Sequence, residues 1–178
     1  PLGFDLARYP MGNREEARRK FGIDQGDFFA VALGRLEAIK GAHILVEAAH
    51  QLPGELRRRV RFFIAGDGPE RAGLTARNQL GQAMRFPGRL TAEDVPALLQ
   101  AADIFLNADL GAPAFGLANA EALVMGARVL TTRRGAHPEV VRDVQDGVLL
   151  SGEVGDWRDA IAAAAVSYTH LTLPTNRE

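Results

Sequence analysis

The stretch FFAVALGRLEAIKG, residues 28–41, decides the fold of this 178-residue chain. Its first six residues form a continuous apolar run, which is typical of a parallel β-strand covered on both faces. The run ends at Gly34, and a loop with Arg35 and Lys40 leads to Gly41, where a helical pattern begins. The sequence therefore predicts a buried strand that delivers a guanidinium and an ammonium group to the loop at its carboxyl end.

A second stretch further along the chain has complementary chemistry. Phe115, Gly116 and Leu117 stand at the start of another predicted helix, and Glu121 follows one turn later. Backbone N–H groups at a helix N-terminus attract anions, and the two cations of the first loop add to that attraction. A carboxylate beside them suits vicinal sugar hydroxyls. Together the two stretches predict a site for a diphosphate flanked by hydroxyl-rich rings, which is the chemistry of a nucleotide-sugar.

Strand and helix patterns alternate along the rest of the chain. Short apolar runs predict strands, apolar residues at helical spacing predict the helices, and Thr91 before two acids predicts a helix cap. This alternation indicates a doubly wound, Rossmann-like α/β fold, in which ligands bind beyond the carboxyl ends of parallel strands. The predicted strands are 28–34, 60–66, 84–86, 103–107, 128–132 and 148–150, and the predicted helices are 42–52, 70–80, 92–101, 116–125, 138–143 and 155–165.

Composition and charge exclude several other classes of protein. Hydrophobic residues make up 47% of the chain, and the formal net charge of −1 argues against nucleic acid or an anionic membrane as the main partner. There is no cysteine, and therefore no disulfide framework and no thiolate chemistry. The sequence has no apolar run of about 20 residues, no visible signal peptide and no Asp-x-Asp metal motif. We therefore expect a cytoplasmic protein with no nucleic-acid partner and no bound metal.

The order and spacing of the motifs resemble the C-terminal, donor-binding domain of retaining GT-B glycosyltransferases, the glycosyl transferases group 1 family that includes glycogen synthase. The resemblance extends from about residue 3 to residue 165. Each motif alone is weak evidence, whereas the shared order is specific. The motifs are Gly3-Phe4-Asp5 with Arg8-Tyr9-Pro10, Gly34-Arg35-Leu36 with Lys40-Gly41, residues 65–70, Phe86-Pro87-Gly88, residues 101–105, Phe115-Gly116-Leu117 with Glu121-Ala122, and residues 138–141 with Asp146-Gly147.

The resemblance implies a role for each site residue. Arg35 and Lys40 would clamp the donor diphosphate and be the catalytic cations, since fixed cations stabilise a leaving diphosphate without a metal. Gly34 and residues 115–117 would bind the donor, and Glu121 would receive the ribose hydroxyls. The implied reaction is retaining transfer from a UDP-, GDP- or ADP-sugar, without a further cofactor, to an acceptor bound by a separate N-terminal domain. This chain alone is then expected to be inactive, and any peripheral membrane association would come from that other half.

One position departs from the pattern of the resembled family. An acid eight residues before Glu121 contacts the donor sugar in that family, and Pro113 stands there instead. Asp109 is the only acid nearby and is the candidate replacement, and His137 is a candidate to line the site. A second interpretation therefore stays open, namely a non-catalytic sugar-nucleotide-binding module of the same fold. A nicotinamide dehydrogenase is disfavoured, because no Gly-x-Gly-x-x-Gly follows the first strand.

The sequence divides into three predicted segments. Residues 1–26 are polar and charged and are predicted to be an interdomain linker with a short helix, and residues 27–165 the nucleotide-sugar-binding domain. Residues 166–178 contain no alanine or glycine, and residues 166–175 can be written as an in-frame read-through of a transposase-type sequencing adapter. We expect this tail to be non-native and assign it no function.

Overall fold

The computed structural model describes residue 9, residues 12–143 and residues 145–172. Within these ranges one sheet of six parallel strands has the order β3-β2-β1-β4-β5-β6. The strands are β1 Phe28–Leu33, β2 Val60–Ala65, β3 Met84–Arg85, β4 Ile104–Asn107, β5 Arg128–Thr132 and β6 Gly147–Leu150. The helices are α1 Arg14–Lys20, α2 Ala42–His50, α3 Gly54–Arg59, α4 Arg71–Ala76, α5 Asp94–Ala101, α6 Leu117–Val124, α7 His137–Val140 and α8 Val154–Thr172, with 3₁₀ turns at Ala38–Lys40 and Gly81–Ala83.

Both faces of the sheet are covered, as the continuous apolar strands predict. Along β1 the side chains alternate between two hydrophobic clusters, with Phe28 and Ala30 in one and Phe29 and Val31 in the other, and all four are buried. The first cluster includes residues of α2 and α8, and the second includes residues of α1, α5 and α6. Full burial of a phenylalanine side chain stabilises a fold by about 1.5–3 kcal/mol. The predicted doubly wound, Rossmann-like α/β fold is confirmed.

The strand order reverses between β1 and β4. The first three strands proceed outward to one edge of the sheet, and the last three proceed outward to the other edge. The loops after β1 and β4 therefore leave a crevice between them, which is where open α/β sheets bind ligands. Residues 34–41 follow β1 and residues 108–117 follow β4. Both stretches that the sequence singles out thus reach this crevice.

At the amino ends of the central strands, opposite the crevice, α1 is fixed by ion pairs. Asp103 precedes β4, and its carboxylate lies 2.5 Å from Arg14 Nη2 and 3.2 Å from Arg18 Nη1. The same carboxylate accepts the backbone N–H of Phe29 at 2.7 Å. Arg18 is buried and also donates to the carbonyl oxygen of Asp27 at 2.6 Å. This part of the predicted linker is therefore a helix fixed against the sheet domain.

The predicted helices differ in length from those of the structure, and two of them differ by more than two residues. The helix predicted at 70–80 is Arg71–Ala76, because the Asn78 side chain donates to the carbonyl oxygens of Gly81 at 3.1 Å and Met84 at 2.9 Å and so stabilises a turn. The helix predicted at 155–165 is longer and forms α8, Val154–Thr172. None of the helices in the described ranges combines the length and the hydropathy that a membrane span requires.

Some predictions fall on residues that the structure does not describe. The motif at residues 3–5, Arg8 and Pro10 lie outside the described residues, as do residues 173–178 of the predicted tail. The segment boundaries at 26 and 165 stay predictions.

Candidate functional site

The loops that follow β1 and β4 lie against each other at the crevice. The backbone N–H of Leu110 donates to the carbonyl oxygen of Ile39 at 2.8 Å. Gly41 packs against Ala108 so closely that a Cβ atom at Gly41 would lie 2.2 Å from the Ala108 carbonyl oxygen. Gly41 also has a φ of 67°, which a glycine adopts without strain. These two requirements fix a glycine at the start of α2 and hold the two loops together.

Lys40 is held in this crevice by a buried carboxylate. Its Nζ lies 2.6 Å from Oδ2 of Asp109, with side-chain exposures of 41% for Lys40 and 6% for Asp109. Oδ1 of Asp109 accepts the backbone N–H of Gly111 at 2.8 Å, and the Asp109 carbonyl oxygen accepts the hydroxyl of Thr132 at 2.5 Å. Because both carboxylate oxygens have protein partners, Asp109 here positions Lys40 and does not present a free carboxylate to a sugar.

Arg35 lies on the same loop but is far more exposed. Its side chain is 75% exposed and forms an ion pair with Glu37. Exposed pairs of this kind contribute at most about 1 kcal/mol, so little free energy opposes a reorientation of Arg35 toward an anion. The structure therefore brings one cation held by a buried carboxylate and one exposed cation to the end of β1.

A cleft of about 490 Å³ opens beside Arg35, within the size range of small-molecule sites. Gly34 and Arg35, on one wall of this cleft, are predicted from the sequence, whereas Arg89 and Leu90, which follow β3 and form the opposite wall, are not. The preceding Phe86-Pro87-Gly88 motif was the signal that could have found it. The cleft is lined by Leu33, Gly34, Arg35, Ala65, Gly66, Asp67, Arg89, Leu90 and Val95.

The second predicted motif lies at the start of α6. Gly116 caps this helix with a φ of 56°, a left-handed conformation that favours glycine. The side chains of Phe115 and Leu117 are exposed. Within the described residues, no hydrogen bond engages the backbone N–H groups of Leu117 and Ala118. The turn thus presents free N–H donors at a helix N-terminus, which is the geometry that binds an anion.

Glu121 has a protein partner, as expected for a carboxylate on an otherwise apolar helix. Its Oε1 accepts a hydrogen bond from the hydroxyl of Tyr9, which comes from the segment before α1. Both residues are half-buried. Among the described residues, none donates a hydrogen bond to Oε2 of Glu121. One carboxylate oxygen is therefore oriented by the tyrosine and the other is left to accept from a ligand.

A buried polar network lies beneath the Gly116 turn. His137 is 1% exposed, and its Nδ1 lies 3.0 Å from the Thr132 carbonyl oxygen and 2.9 Å from Thr131 Oγ1. Its Nε2 lies 3.4 Å from Nδ2 of Asn107, which donates to Oδ1 of Asn119 at 2.8 Å. Burial lowers the pKa of His137 below its ordinary value, against the opposing effect of its hydrogen bond with the Thr132 backbone.

The sequence analysis named His137 as a candidate lining residue and missed the other members of this network. Asn107 and Asn119 each interrupt an apolar run, and that interruption was the available signal. Pro113 lies nearby, and its carbonyl oxygen accepts the Ala136 N–H at 2.9 Å. In the part of the chain that the structure describes, no three His, Cys, Asp or Glu side chains are grouped so as to hold a metal ion.

Fold and crevice together define a class, the Rossmann-like unit of GT-B glycosyltransferases. The chain belongs to the glycosyl transferases group 1 family, whose model matches residues 13–166. It is 34% identical over 168 residues to the D-inositol 3-phosphate glycosyltransferases of Mycobacterium bovis and Mycobacterium tuberculosis. That match covers 89% of this chain and 34% of each relative, so the chain spans about a third of the length of these curated relatives.

Solved structures give the same classification. The chain is similar to Anabaena HepE in complex with UDP and glucose, with a TM-score of 0.80 and 25% identity over 96% of this chain and 47% of that one. It is also similar to WaaG, a glycosyltransferase involved in lipopolysaccharide biosynthesis, with a TM-score of 0.82 and 25% identity over 95% and 47% of the two chains. At 22% identity, the C-terminal domain of LpcC from Francisella tularensis shares the fold over 96% and 98% of the chains, with a TM-score of 0.72.

Proposed function

We propose that this chain is the donor-binding domain of a retaining, metal-independent glycosyltransferase that uses a UDP-, GDP- or ADP-sugar. One observation carries the proposal. Two cations and the free N–H groups of the Gly116 turn lie at the same crevice, where the strand order reverses. Arg35 and Lys40 reach the crevice from the end of β1, and the turn reaches it from β4. The similarity to a structure described as a complex with UDP and glucose supports this choice of ligand.

Each part of the crevice has a role in this proposal. The diphosphate binds Lys40, Arg35 and the N–H groups after Gly116, the ribose hydroxyls donate to Oε2 of Glu121, and the cleft beside Arg35 holds the base. As the bond between the anomeric carbon and the diphosphate oxygen breaks, negative charge grows on that oxygen. Lys40 is already held by Asp109 at 2.6 Å, so it stabilises this charge with little reorganisation.

The acceptor is assigned to a separate N-terminal domain on the strength of the family resemblance. An acceptor hydroxyl from that half would attack the anomeric carbon, and the anomeric configuration would be retained. A product with inverted configuration, identified by NMR, would contradict this part of the proposal. Cytoplasmic location and membrane association through the other half stay predictions.

The geometry around Pro113 and Asp109 favours one second candidate, a sugar-nucleotide-binding module without transferase activity. Pro113 has no acidic group, and both oxygens of Asp109 are engaged by Lys40 and Gly111. In the described part of the loop after β4, no other acid is available to a sugar ring. If this is so, the sugar adds little affinity, and a nucleotide-sugar binds about as tightly as its nucleotide diphosphate.

Calorimetry with the 178-residue chain tests the proposal. We expect UDP, GDP or ADP to bind, and Glu121→Ala to weaken binding of the nucleotide diphosphate and of its sugar by about ten- to a hundredfold, as for loss of a hydrogen bond to a charged group. The matched control is Glu55→Ala, which removes an exposed helical glutamate on α3. No binding of any of the three nucleotides, or equal effects of the two variants, would contradict the proposed donor site.

A nucleotide-sugar that binds far more tightly than its nucleotide diphosphate would favour the transferase over the module. That result would mean that a residue other than Pro113 holds the sugar. Asp109→Asn in the same titration would then show whether Asp109 has this second role beside its ion pair with Lys40.

A further inference from the structure

The hydrogen bonds around His137 assign its tautomer. The Thr132 carbonyl oxygen can only accept, so Nδ1 of His137 at 3.0 Å carries the proton. The amide nitrogen Nδ2 of Asn107 can only donate, so Nε2 of His137 at 3.4 Å is the acceptor. The imidazole is therefore neutral and protonated at Nδ1.

The surrounding amides and hydroxyls form one directional set. Nδ2 of Asn107 donates to Oδ1 of Asn119, Nδ2 of Asn119 donates to Oγ1 of Thr131 at 3.2 Å, and the Thr131 hydroxyl donates to the carbonyl oxygen of Asn107 at 3.0 Å. Reversal of the Asn119 amide alone would place donor against donor, and reversal of the Asn107 amide alone would place acceptor against acceptor. The set thus fixes the role of Nε2 in His137 as an acceptor.

This set joins the four elements that surround the Gly116 turn. Asn107 ends β4, Asn119 lies in the first turn of α6, Thr131 lies at the end of β5, and His137 begins α7. The His137 ring is also the floor of the turn, because a Cβ atom on Gly116 would lie 3.6 Å from its Cδ2. The position of the turn therefore depends on the hydrogen bonds of the ring.

We propose that His137 is a positioning residue for the donor diphosphate, and that its neutral imidazole holds the Gly116 turn in the conformation that binds phosphate. The proposal rests on the donor site proposed above. Protonation would place a second N–H on Nε2, facing the donor Nδ2 of Asn107. That contact would break, and Asn119 with the turn would move. Binding of a donor then becomes weaker in acid.

The charged groups around the His137 ring do not provide another explanation for a weaker binding of the donor in acid. Asp109, from the loop after β4, favours the protonated ring, and Lys40, from the loop after β1, opposes it. These two groups are ion-paired with each other, so their effects partly cancel. On α6 the carboxylate of Glu121 is hydrogen-bonded to Tyr9, and Glu139 on α7 is exposed.

The proposal is tested first without ligand. In NMR spectra of the 178-residue chain, we expect the ring nitrogens of His137 to show the Nδ1–H tautomer at pH 8. We also expect the amide signals of Gly116 and Leu117 to shift with the same midpoint as His137 when the pH is lowered. An Nε2–H tautomer, or amide signals of Gly116 and Leu117 that do not shift with the His137 titration, would overturn the proposal.

The second test measures binding of UDP-glucose by calorimetry between pH 5 and 8. A nucleotide-sugar is chosen because a terminal phosphate titrates near pH 6. We expect the affinity of the unsubstituted chain to fall by about tenfold, which corresponds to one unit of difference in pKa between the free and bound states. His137→Gln keeps a donor and an acceptor but does not titrate. We expect this variant to bind UDP-glucose more weakly than the unsubstituted chain, with an affinity that does not change with pH.

The control for this test is His50→Gln. His50 is half-buried at the end of α2 and accepts the Gln79 N–H at 3.2 Å. The substitution therefore removes a histidine that lies away from the Gly116 turn. This variant should keep the pH profile of the unsubstituted chain. A flat profile for the unsubstituted chain, or a slope that survives in His137→Gln, would contradict the role of His137. Absence of UDP-glucose binding at pH 8 with a coupled NMR titration would instead count against UDP-glucose as the donor.

Discussion

Two aspartates flank β4, and their different partners separate the part of the molecule that maintains the fold from the part that we propose binds the donor. Asp103, before the strand, pairs with Arg14 and Arg18 and accepts the backbone N–H of Phe29. Asp109, after the strand, forms one ion pair, with Lys40, and accepts the backbone N–H of Gly111. Arg18 is buried, whereas the Lys40 side chain is 41% exposed. A carboxylate at the amino end thus fixes a helix, and one at the carboxyl end orients a cation that solvent and ligand can reach.

The largest effect is expected from removing the cation at the carboxyl end. In the proposed transferase, assayed with its acceptor-binding half, Lys40→Met should lower kcat/KM by about 10²–10³-fold, about 3–4 kcal/mol at the transition state, because the leaving diphosphate would lose a pre-positioned charge. Arg35→Ala should act in the same direction. The measurement is steady-state transfer from the nucleotide-sugar.

A double-mutant cycle separates the effect of the ion pair between Lys40 and Asp109 from the effect of the Lys40 charge itself. Asp109→Asn should cost less activity than Lys40→Met, and should have no further effect once Lys40 is replaced. If both Lys40→Met and Arg35→Ala retain nucleotide affinity and turnover, the phosphate site lies elsewhere and the comparison of the two strand ends fails.

The second effect concerns stability at the amino end. Asp103→Asn should lower the free energy of unfolding by about 3 kcal/mol, because the buried guanidinium of Arg18 loses its carboxylate. Urea unfolding of the 178-residue chain measures this loss. The matched control is Lys20→Gln, which removes the exposed pair between α1 and Asp94 and should cost under about 1 kcal/mol. Equal losses in the two variants would show that burial of Arg18 does not distinguish these pairs.

Most of the fold could be predicted because the strands are apolar and bounded by glycine or polar residues. All six predicted strands are present, and no boundary differs by more than one residue. The short helix α3, Gly54–Arg59, was not predicted, because its sequence has one apolar anchor, Leu56, and no helical periodicity. Tertiary context, here the preceding Pro53 and packing of Leu56 on the core, decides such a helix.

The site was predictable only where a residue stands out against its neighbours. Arg35 and Lys40 follow an apolar strand, and Glu121 interrupts an apolar helix, so the sequence singles out each as a candidate site residue. The partners of these residues were not found, because Lys40 with Asp109 and Glu121 with Tyr9 are 69 and 112 residues apart in sequence. Contacts at such separations depend on how the loops of a sheet meet, which hydrophobic periodicity does not encode.

The hydrogen bond between Tyr9 and Glu121 gives a test with a smaller expected effect, at the carboxyl ends of the strands. Tyr9→Phe removes the hydroxyl that orients Oε1 of Glu121 and keeps the ring. We expect nucleotide affinity to fall by about 1.5 kcal/mol, the lower range for a hydrogen bond to a charged group, and by less than in Glu121→Ala. Calorimetry with UDP measures both variants. A loss in Tyr9→Phe that also appears in Glu121→Ala/Tyr9→Phe would mean that the tyrosine acts independently of the carboxylate.

The smallest effect is the dependence of stability on pH at the carboxyl end. Burial lowers the pKa of His137 below its ordinary value of 6.5, so the unfolded chain binds this proton more readily than the folded chain. Protonation of His137 therefore does not reduce the free energy of unfolding above pH 6.5. Below that value the free energy of unfolding decreases, by at most about 1.4 kcal/mol for each unit of pKa difference between the folded and unfolded chain.

Carboxylates act in a lower pH window, which keeps the histidine effect separate. The Lys20 ion pair lowers the pKa of Asp94 below its ordinary value of 3.8, so stability from that pair is lost only in stronger acid. Between pH 7 and 5, urea unfolding should therefore show a decline for the unsubstituted chain and a flatter dependence for His137→Gln. His50→Gln should decline like the unsubstituted chain. A decline that is as steep in His137→Gln as in the unsubstituted chain would show that burial of His137 does not cause it.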